Sequence, residues 1–462
     1  MKRNHIPGAS LIPFMFVILF FTACHKKIYT ASNTFQRSEG KQNDCIPAKW
    51  LDWNIMFAPG MNTTARLQEM SNLEQYITDY ITQYNTIHGT FFSVRQSFVF
   101  CPCDTLLYNY NAVPLYGSGS VAIPPTNPRP KIPGSGDTVS FVSENIAMDM
   151  DTKPKDSANI DTAAKVYVSL SSTINPGKTL AVMDTGLDST LFTNQFSGLL
   201  WNDPNGNTLR NFLFFSNGRS LDYYADDDDH KHGTAVTALA LKATENQYSG
   251  REILPKIMVL KVLDKDRVGS SFSVSCALSY AYKNHVTLIN SSLGYYADTA
   301  SIDPFLKYYI DLCNASGIPI LAAAGNLKSP HTPPICAAAG PGNQLTKLRR
   351  FYPASYNATT AVTGLKDLNQ ACFYQNYSND VVAVGVRTPS AGGNCCKFKV
   401  DFLSTGYEGT SFATPVVSGL MMGYLLHHDV LAKDCLNKIS TVPVTLTPTV
   451  TKDGRYIDYI PK

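Results

Sequence analysis

Short apolar runs alternate with amphipathic stretches beyond about residue 165. The runs are rich in β-branched residues, and we predict them as strands: Lys178 to Met183, Ile257 to Leu263, Val286 to Leu293, Ile318 to Ala324 and Val381 to Val386. Between them lie helical patterns such as Asp303 to Ser316, which Gly317 ends. Strands that alternate with helices are typical of βαβ units, so the pattern predicts an α/β fold built on a mostly parallel sheet.

A different pattern, typical of a small α+β domain, precedes this region. Trp53 to Phe57 and Thr90 to Phe100 are predicted strands. The residues between them place apolar side chains at spacings of three and four, which predicts an amphipathic helix capped by Thr63 or Thr64. The apolar face of that helix consists of Leu67, Met70, Leu73, Ile77, Tyr80, Ile81 and Tyr84.

Changes in composition give the expected segments of the chain. A run of prolines among Gly and Ser after Gly117 excludes a helix or a central strand and indicates a linker. The predicted order is a signal peptide (1–23), a polar tether (24–44), the α+β domain (45–116), the linker (117–164), the α/β domain (165–445) and a C-terminal tail (446–462).

The first residues predict export. Lys2 and Arg3 precede an apolar run from Leu11 to Phe21 that is too short to span a bilayer but suits a signal peptide. The run ends in Phe21-Thr22-Ala23-Cys24, which resembles the lipobox of bacterial lipoproteins, although Phe21 stands where Leu or Val is more usual. We therefore expect Cys24 to carry a lipid that anchors the protein to the bacterial cell envelope, at the periplasmic face or the cell surface. An ordinary secretory signal that happens to contain a cysteine is the alternative.

Composition narrows the class of protein. Of 462 residues, 44% are hydrophobic and 16% are charged, which excludes a disordered chain, and a net charge of +3 gives no reason to expect nucleic acid as a partner. Lipidation of Cys24 would leave ten of the 11 cysteines, an even number that permits disulfides in an oxidising compartment. Cys101-Pro-Cys103 and Cys395-Cys396 lack the paired spacing of a zinc ribbon, so we expect no metal site from them.

Four side chains at predicted strand ends and helix starts fit nucleophilic catalysis. Asp184 follows a strand, His232 opens a helical segment, and Ser411 precedes an apolar helix. A serine hydroxyl becomes a nucleophile when a histidine takes its proton, and a carboxylate orients that histidine. Asn326, at the end of another predicted strand, adds an amide donor for an oxyanion.

Together these residues resemble the subtilisin-like serine proteases, the subtilases of peptidase family S8. The order Asp, His, Ser along the chain is that of the family. The segments that carry the likeness are Asp184-Thr185-Gly186, His232-Gly233-Thr234, Asn290 to Gly294, Ala322 to Asn326 and Gly409 to Gly419. Ala238 departs from it, since the histidine motif usually has Gly there. The resemblance implies a subtilisin-like three-layer α/β fold and a serine endopeptidase that acts on protein or peptide substrates and requires no cofactor.

The resemblance also assigns roles to single residues. It implies that Asp184 orients His232, that His232 is the general base and then the general acid, and that Ser411 forms the acyl-enzyme. Asn326 would donate to the oxyanion together with the backbone N–H of Ser411. The expected substrate-binding residues are Ser292, Leu293, Gly294, Ala323, Ala324 and Gly325.

Three questions stay open at the level of sequence. The N-terminal α+β domain is either a propeptide, of the kind many subtilases carry, or a permanent accessory domain. The aspartates Asp226 to Asp229 form either a structural Ca²⁺ site or a solvated acidic loop, and they lack the regular ligand spacing of a calcium loop. The protein as a whole is either an active peptidase or a surface lipoprotein that keeps the fold as a catalytically inactive binding module.

Overall fold

The computed structural model describes residues 51–114, 139–144, 147–149, 164–167, 173–190, 198–213, 219–247, 253–297, 302–326, 345, 350–367, 370–372, 375–378, 380–388, 397–403, 406–441 and 451–459. The predicted signal peptide, the tether and Cys24 lie outside these residues. Apart from Arg219 and Ser220, the described residues belong to one compact unit. No helix within the described ranges has the length and hydropathy needed to cross a membrane.

Four antiparallel strands and one long helix form the N-terminal domain. Its elements are β1 (Leu51–Phe57), α1 (Thr63–His88), β2 (Val94–Cys101), β3 (Asp104–Pro114) and β4 (Val139–Glu144), with the strand order β2-β3-β1-β4. Successive side chains of a strand point to opposite faces, so Trp53, Ile55 and Phe57 share one face of β1. They pack there against Ile77 of α1 in a common apolar core. The predicted α+β pattern is therefore present.

The start of α1 differs from the prediction by one residue. Asn62, rather than Thr63 or Thr64, is the N-cap, and its Oδ1 atom accepts a hydrogen bond from the N–H of Ala65 at 2.8 Å. Asn is among the best N-cap residues because its side-chain oxygen replaces a helical acceptor that the first turn lacks.

The second domain contains the remaining elements. Its strands, with β5 in the segment that leads into it, are β5 (Ala147–Asp149), β6 (Ala164–Val166), β7 (Thr173–Asp184), β8 (Ile253–Lys261), β9 (Val268–Ser270), β10 (Leu288–Ser291), β11 (Tyr295–Ala297), β12 (Ile320–Ala323), β13 (Arg350–Tyr352), β14 (Thr359–Asp367), β15 (Gln370–Ala371), β16 (Val382–Arg387), β17 (Lys397–Val400), β18 (Gly406–Glu408) and β19 (Tyr456–Asp458). Its helices are α2 (His232–Gln247), α3 (Ser271–Lys283), α4 (Pro304–Ala315), α5 (Thr410–His427) and α6 (Ala432–Ile439), and a 3₁₀ turn covers Lys452–Gly454.

A parallel sheet forms the centre of this second, α/β domain. The strand order is β19-β16-β14-β12-β10-β7-β8, every pairing along it is parallel, and β15 pairs with β14 in the antiparallel sense. Helices α2 and α5 share one apolar core with the sheet, and α3 packs against α4 on the other side. Strands that are covered on both faces are apolar along their whole length, and for this reason they could be predicted from the sequence. The prediction of an α/β fold with a mostly parallel sheet is confirmed.

The two central helices, α2 and α5, pack at very short range. A Cβ atom at Gly419 of α5 would lie 2.1 Å from the carbonyl oxygen of Ala240 and 2.7 Å from the Cβ of Ala243, both in α2. The absence of a side chain at Gly419 therefore sets the spacing of the helices whose N-termini carry His232 and Ser411.

The predicted linker and tail need correction. Strand β4 and strand β5 lie within the predicted linker (117–164), and β4 completes the N-terminal sheet beside β1. The stretch rich in Pro, Gly and Ser that indicated a linker ends at Gly136, and an apolar pattern that includes β-branched residues begins at Val139. The predicted tail (446–462) contains β19, which adds an edge strand to the central sheet and buries Ile457 and Tyr459 in the main core.

Candidate active site

The fold brings the four predicted catalytic side chains to one edge of the parallel sheet. Asp184 is the last residue of β7, His232 is the first residue of α2, Ser411 is the second residue of α5, and Asn326 follows β12. All four are buried. Carboxyl ends of parallel strands meet at one edge of the sheet, which is where sites form in this class of fold.

Asp184 and His232 form a direct, buried hydrogen bond. The distance from Nδ1 of His232 to Oδ1 of Asp184 is 2.9 Å. The same carboxylate oxygen accepts from the backbone N–H of Thr185 at 2.8 Å, which fixes its position. The other ring nitrogen, Nε2, is buried without a hydrogen-bond partner among the described residues. A histidine held in this way at Nδ1 presents Nε2 as the atom able to take a proton.

The Ser411 hydroxyl, at the start of α5, bonds to a backbone oxygen in the present conformation. Its Oγ donates to the backbone oxygen of Ser292 at 3.1 Å. The ring of Phe412, the following residue, lies 4.8 Å from the ring of His232, so the two helix starts are in contact. Hydrogen bonds of catalytic groups are often loose without substrate, and rotation about the Cα–Cβ bond of Ser411 would move Oγ away from Ser292.

Pro415 explains why the backbone carbonyl of Ser411 needs a hydrogen-bond donor from Ser292. Since α5 begins at Thr410, Pro415 is inside the helix, beyond its first turn. Proline has no N–H, so the carbonyl of Ser411, four residues earlier, loses its helical donor. The Ser292 hydroxyl donates to that carbonyl at 2.9 Å and so replaces the missing bond. Ser292 is in turn held by Nδ2 of Asn290 at 3.0 Å.

Asn326 is oriented by the residue before the serine. Its Oδ1 accepts from the backbone N–H of Thr410 at 2.9 Å, and the Thr410 hydroxyl accepts from the N–H of Gly325 at 3.1 Å. Because the amide oxygen is engaged by Thr410, Nδ2 is the end of Asn326 that would donate to an oxyanion. Thr410 was not among the predicted site residues, because its hydrogen bond to Asn326 joins two segments that only the fold brings together.

The predicted substrate-binding residues lie in two segments at the same sheet edge. Ser292, Leu293 and Gly294 connect β10 to β11, whereas Ala323 ends β12 and is followed by Ala324 and Gly325. All six are buried.

The two glycines among them are required by close packing. A Cβ at Gly294 would lie 2.3 Å from the carbonyl oxygen of Tyr352. Gly325 has φ +87°, and a Cβ there would lie 2.7 Å from Nδ2 of Asn376. Both segments therefore depend on residues without side chains to keep their backbone at this edge.

The acidic run before His232 belongs to the framework of the site. Asp226 accepts from the Thr185 hydroxyl at 2.9 Å and from the N–H of Thr234 at 2.9 Å. Asp228 accepts from the N–H of His232 at 3.0 Å and from Nε of Arg267 at 3.0 Å. The interpretation as a solvated loop is wrong for Asp226 and Asp228, since both are only 2% exposed.

The third aspartate of the run is paired as well. Asp227 lies 2.6 Å from Nζ of Lys261, a lysine that is itself buried at the end of β8. Asp226, Asp227 and Asp228 are each engaged by protein donors, so these three carboxylates serve the framework of the site.

The two buried aspartates differ in the direction of their pKa shifts. Burial raises the pKa of Asp226 above its usual value, although bonds from Thr234 and Thr185 act in the opposite direction. Burial alone would also raise the pKa of Asp228, but the charge of Arg267 and the N–H bond from His232 together hold it below its usual value. Asp228 is thus an ionised cap at the N-terminus of α2, where a negative charge is favourable.

The cysteines follow only part of the expectation. Within the described ranges, Cys101 is bonded to Cys276 and Cys372 is also disulfide-bonded, whereas Cys103, Cys313 and Cys435 are free thiols, so the ten cysteines other than Cys24 do not all pair. Even parity permits pairing but does not bring sulfur atoms within bonding distance.

Comparison with known proteins identifies the family. Residues 175–426, more than half of the chain, match the model of the subtilase family, peptidase S8. Similar proteins are the thermophilic serine proteinase of Bacillus sp. (strain AK1), 28% identical over 249 residues, and subtilisin of Bacillus pumilus, 30% identical over 207 residues. Subtilisin E of Bacillus subtilis (strain 168) is 30% identical over 207 residues.

These matches cover the domain that holds the site. They span 53%, 44% and 44% of this chain and 51%, 65% and 47% of the three relatives, in the same order, so the chain spans less than two thirds of their length. The matched range contains Asp184, His232, Asn326 and Ser411. With the α/β fold, the sheet-edge site and a family model that covers more than half of its length, the chain belongs to the subtilase family.

Proposed function

We propose that this protein is a serine endopeptidase that hydrolyses peptide bonds through an acyl-enzyme on Ser411. The observation that carries the proposal is the buried bond of 2.9 Å between Asp184 and His232, at a sheet edge shared with Ser411. A lone aspartate, histidine or serine has many structural uses, but a histidine held at Nδ1 by a buried carboxylate beside a serine is suited to general base catalysis.

Each residue has one step in the proposed mechanism. His232 takes the proton of the Ser411 hydroxyl through Nε2 while Oγ attacks the peptide carbonyl, and it later gives that proton to the leaving amine. Asp184 holds the ring and stabilises the imidazolium without becoming protonated. A water molecule then attacks the acyl-enzyme with His232 again as the base.

Charge that develops on the carbonyl oxygen would be met by Asn326 and by the backbone at the start of α5. Nδ2 of Asn326 and the N–H of Ser411 are the proposed donors. The helix N-terminus adds a favourable field for a negative charge, because its first N–H groups have no helical acceptors. Such preorganised donors contribute to the rate because they are already oriented when the charge appears.

The pairing of β5 supports a path for the substrate. Ala147–Asp149 runs antiparallel to Val268–Ser270 of β9, and β5 also contacts β11, which directly follows Gly294. An extended segment of this chain therefore lies against both β9 and β11, beside the predicted substrate strand. We propose that a substrate peptide adds as a strand at the same place and that the N-terminal domain, which β5 follows, acts as an internal inhibitor rather than a permanent accessory.

One observation favours the alternative of an inactive binding module. Oγ of Ser411 is bonded to Ser292 rather than to His232. Digestion of unfolded casein by the full chain, before and after cleavage between β5 and β6 with reduction of the Cys101–Cys276 disulfide, separates the two candidates. An active peptidase releases peptides after cleavage and reduction, and Ser411→Ala does not. Ser275→Ala removes a buried hydroxyl that has no hydrogen-bond partner among the described residues, and it behaves as the parent. Absence of digestion by every form would favour the binding module.

We also propose that the protein is exported and lipid-anchored at Cys24. Support comes from the charged start, the short apolar run and the Phe21-Thr22-Ala23-Cys24 sequence. Two or more acyl chains would be needed, since one alone binds a membrane only marginally. Mass spectrometry of the mature protein is expected to find an acylated Cys24 at the N-terminus, and an unmodified N-terminus at another residue would contradict the anchor.

A further inference from the structure

The N-terminal domain contacts helices α3 and α4 through polar side chains. Residues of β1 at even positions point away from α1, and Nδ2 of Asn54 donates to the Ser271 hydroxyl, at the start of α3, at 3.0 Å. Asp104, at the start of β3, accepts from the Ser279 hydroxyl at 2.9 Å and from the Tyr309 hydroxyl at 2.8 Å. Polar interfaces of this kind are typical of domains that can separate, so these hydrogen bonds do not by themselves make the contact permanent.

A disulfide crosses the same interface. Cys101, the last residue of β2, is bonded to Cys276 in α3, and the two residues are 175 positions apart in the chain. Both are fully buried. The bond therefore joins the N-terminal domain covalently to the domain that carries the candidate site.

We propose that the Cys101–Cys276 disulfide is a covalent lock, so that after the chain is cut between the two domains the N-terminal domain stays attached until a dithiol reductant opens the bond. A covalent link makes rebinding intramolecular, at an effective concentration far above that of a free fragment. The retained domain would keep β5 paired with β9, beside the predicted substrate strand. That inhibition rests on the proposed function, whereas the covalent retention does not.

Opening the lock is a balanced exchange. One thiolate of the dithiol attacks a sulfur of the Cys101–Cys276 bond and forms a mixed disulfide, and its second thiol then displaces the remaining protein sulfur. Cys101 and Cys276 end as protonated thiols, and the reductant ends as a cyclic disulfide. The two electrons come from the dithiol, so no other reactant is needed.

A third sulfur beside the bond does not open it. Sγ of Cys103 lies 3.2 Å from Sγ of Cys101 and 3.7 Å from Sγ of Cys276. Burial raises the pKa of the Cys103 thiol to about 12. Since the thiolate is the nucleophile, a thiol that stays protonated at neutral pH exchanges slowly with the neighbouring disulfide. The lock therefore depends on an external reductant.

The test uses the full chain with Ser411→Ala, so that none of its own proposed activity contributes. A recognition sequence for a site-specific protease is inserted within residues 150–163, which lie outside the described residues between β5 and β6. After cutting, denaturing electrophoresis without reductant is expected to show one species, and dithiothreitol is expected to convert it into two. Size-exclusion chromatography in native buffer is expected to show one peak before reduction and separated fragments after it.

Two cysteine variants test whether retention of the fragment depends on the Cys101–Cys276 bond. Cys276→Ser is expected to release the N-terminal fragment after cutting without reductant, and Cys103→Ser is expected to behave as the parent. If Cys276→Ser does not fold, the proposal is still tested by comparing the cut chain with all its cysteines intact in the presence and absence of dithiothreitol. Two species on the non-reducing gel would overturn the proposal, because the bond would be absent. Co-elution after complete reduction would overturn it too, because non-covalent contacts would then suffice.

Discussion

The Nδ1 atom of His232 lies 2.9 Å from the Oδ1 atom of Asp184, and both side chains are almost completely buried. Each has a second polar atom, Nε2 and Oδ2, that is buried without a hydrogen-bond partner in the described part of the chain. Buried polar atoms without partners are costly for stability and are retained mainly where they serve a function. The orientation of His232 by Asp184 is accordingly the relationship on which the proposed chemistry depends most.

Asp184→Asn is expected to lower kcat by about 10⁴-fold with little loss of stability. The amide can donate to Nδ1, which favours the tautomer with the proton on Nε2, and that nitrogen can then no longer accept the serine proton. Steady-state kinetics on a peptide substrate measure the effect. Asp311→Asn, on the exposed side of α4, is the matched control and should stay within about twofold, since changes at exposed surface positions are usually near neutral. A similar kcat for the parent and Asp184→Asn would remove Asp184 from the mechanism.

Asn326→Asp separates the two ends of the proposed oxyanion donor. The carboxylate keeps an oxygen for the N–H of Thr410 but has no Nδ2 donor, so kcat is expected to fall by about 10²–10³-fold while KM changes little. Asn326→Ala should lose activity to a similar extent and also lose the bond to Thr410, which lowers its melting temperature further. An increase in KM alone would show that Asn326 acts in substrate binding instead.

Ser292→Ala is expected to destabilise the protein by about 1–3 kcal/mol, because the carbonyl of Ser411 and Nδ2 of Asn290 would both lose a buried partner. Thermal or denaturant unfolding measures the change. Thr86→Ala, an exposed hydroxyl on α1, is the control and is expected to stay within about 0.5 kcal/mol. Unchanged stability of Ser292→Ala would mean that the Ser411 carbonyl finds another donor.

The stability contributed by Asp228 depends on pH in a defined direction. Its folded-state pKa is held below its usual value, so its contribution is complete above the unfolded pKa of about 3.9 and is lost as pH falls through the folded pKa. Asp228→Asn should therefore melt at a lower temperature than the parent at pH 7, and the difference should shrink as pH falls below about 4. A constant difference down to pH 2 would contradict the assignment. Asp311→Asn again provides the exposed control.

The main strands were predictable because they are apolar runs, but β14 was not. Its sequence, with Thr359, Thr360 and Thr363 among the apolar residues, resembles a half-exposed segment. In the fold, the Thr363 hydroxyl donates to the backbone oxygen of Asn376 at 2.6 Å, so a polar residue is satisfied inside the sheet. Long-range partners of this kind are not visible in a single sequence, and neither is the pairing of β5 with β9.

The candidate site likewise contains residues that the sequence predicted and long-range contacts that it did not. Asp184, His232, Ser411 and Asn326 were found because their local motifs and order along the chain are specific. The hydrogen bonds that support these residues were not predicted. Asp228 bonds to His232 and Ser292 bonds to Ser411, and only the fold brings these segments together. The Cys101–Cys276 bond likewise depends on the docking of the N-terminal domain, and cysteine parity gave no pairing.

A fluorophosphonate reacts with activated serine hydroxyls. Labelling with this probe is therefore the most direct test of whether Ser411 is the nucleophile of a serine peptidase. The full chain is cut between β5 and β6 and reduced, the probe is added, and peptide mass spectrometry locates the modified residue. A single labelled serine, Ser411, is expected, with labelling abolished in Ser411→Ala, strongly reduced in His232→Ala and retained in Ser275→Ala. Labelling that persists in Ser411→Ala, or a parent protein that takes up no probe, would contradict it.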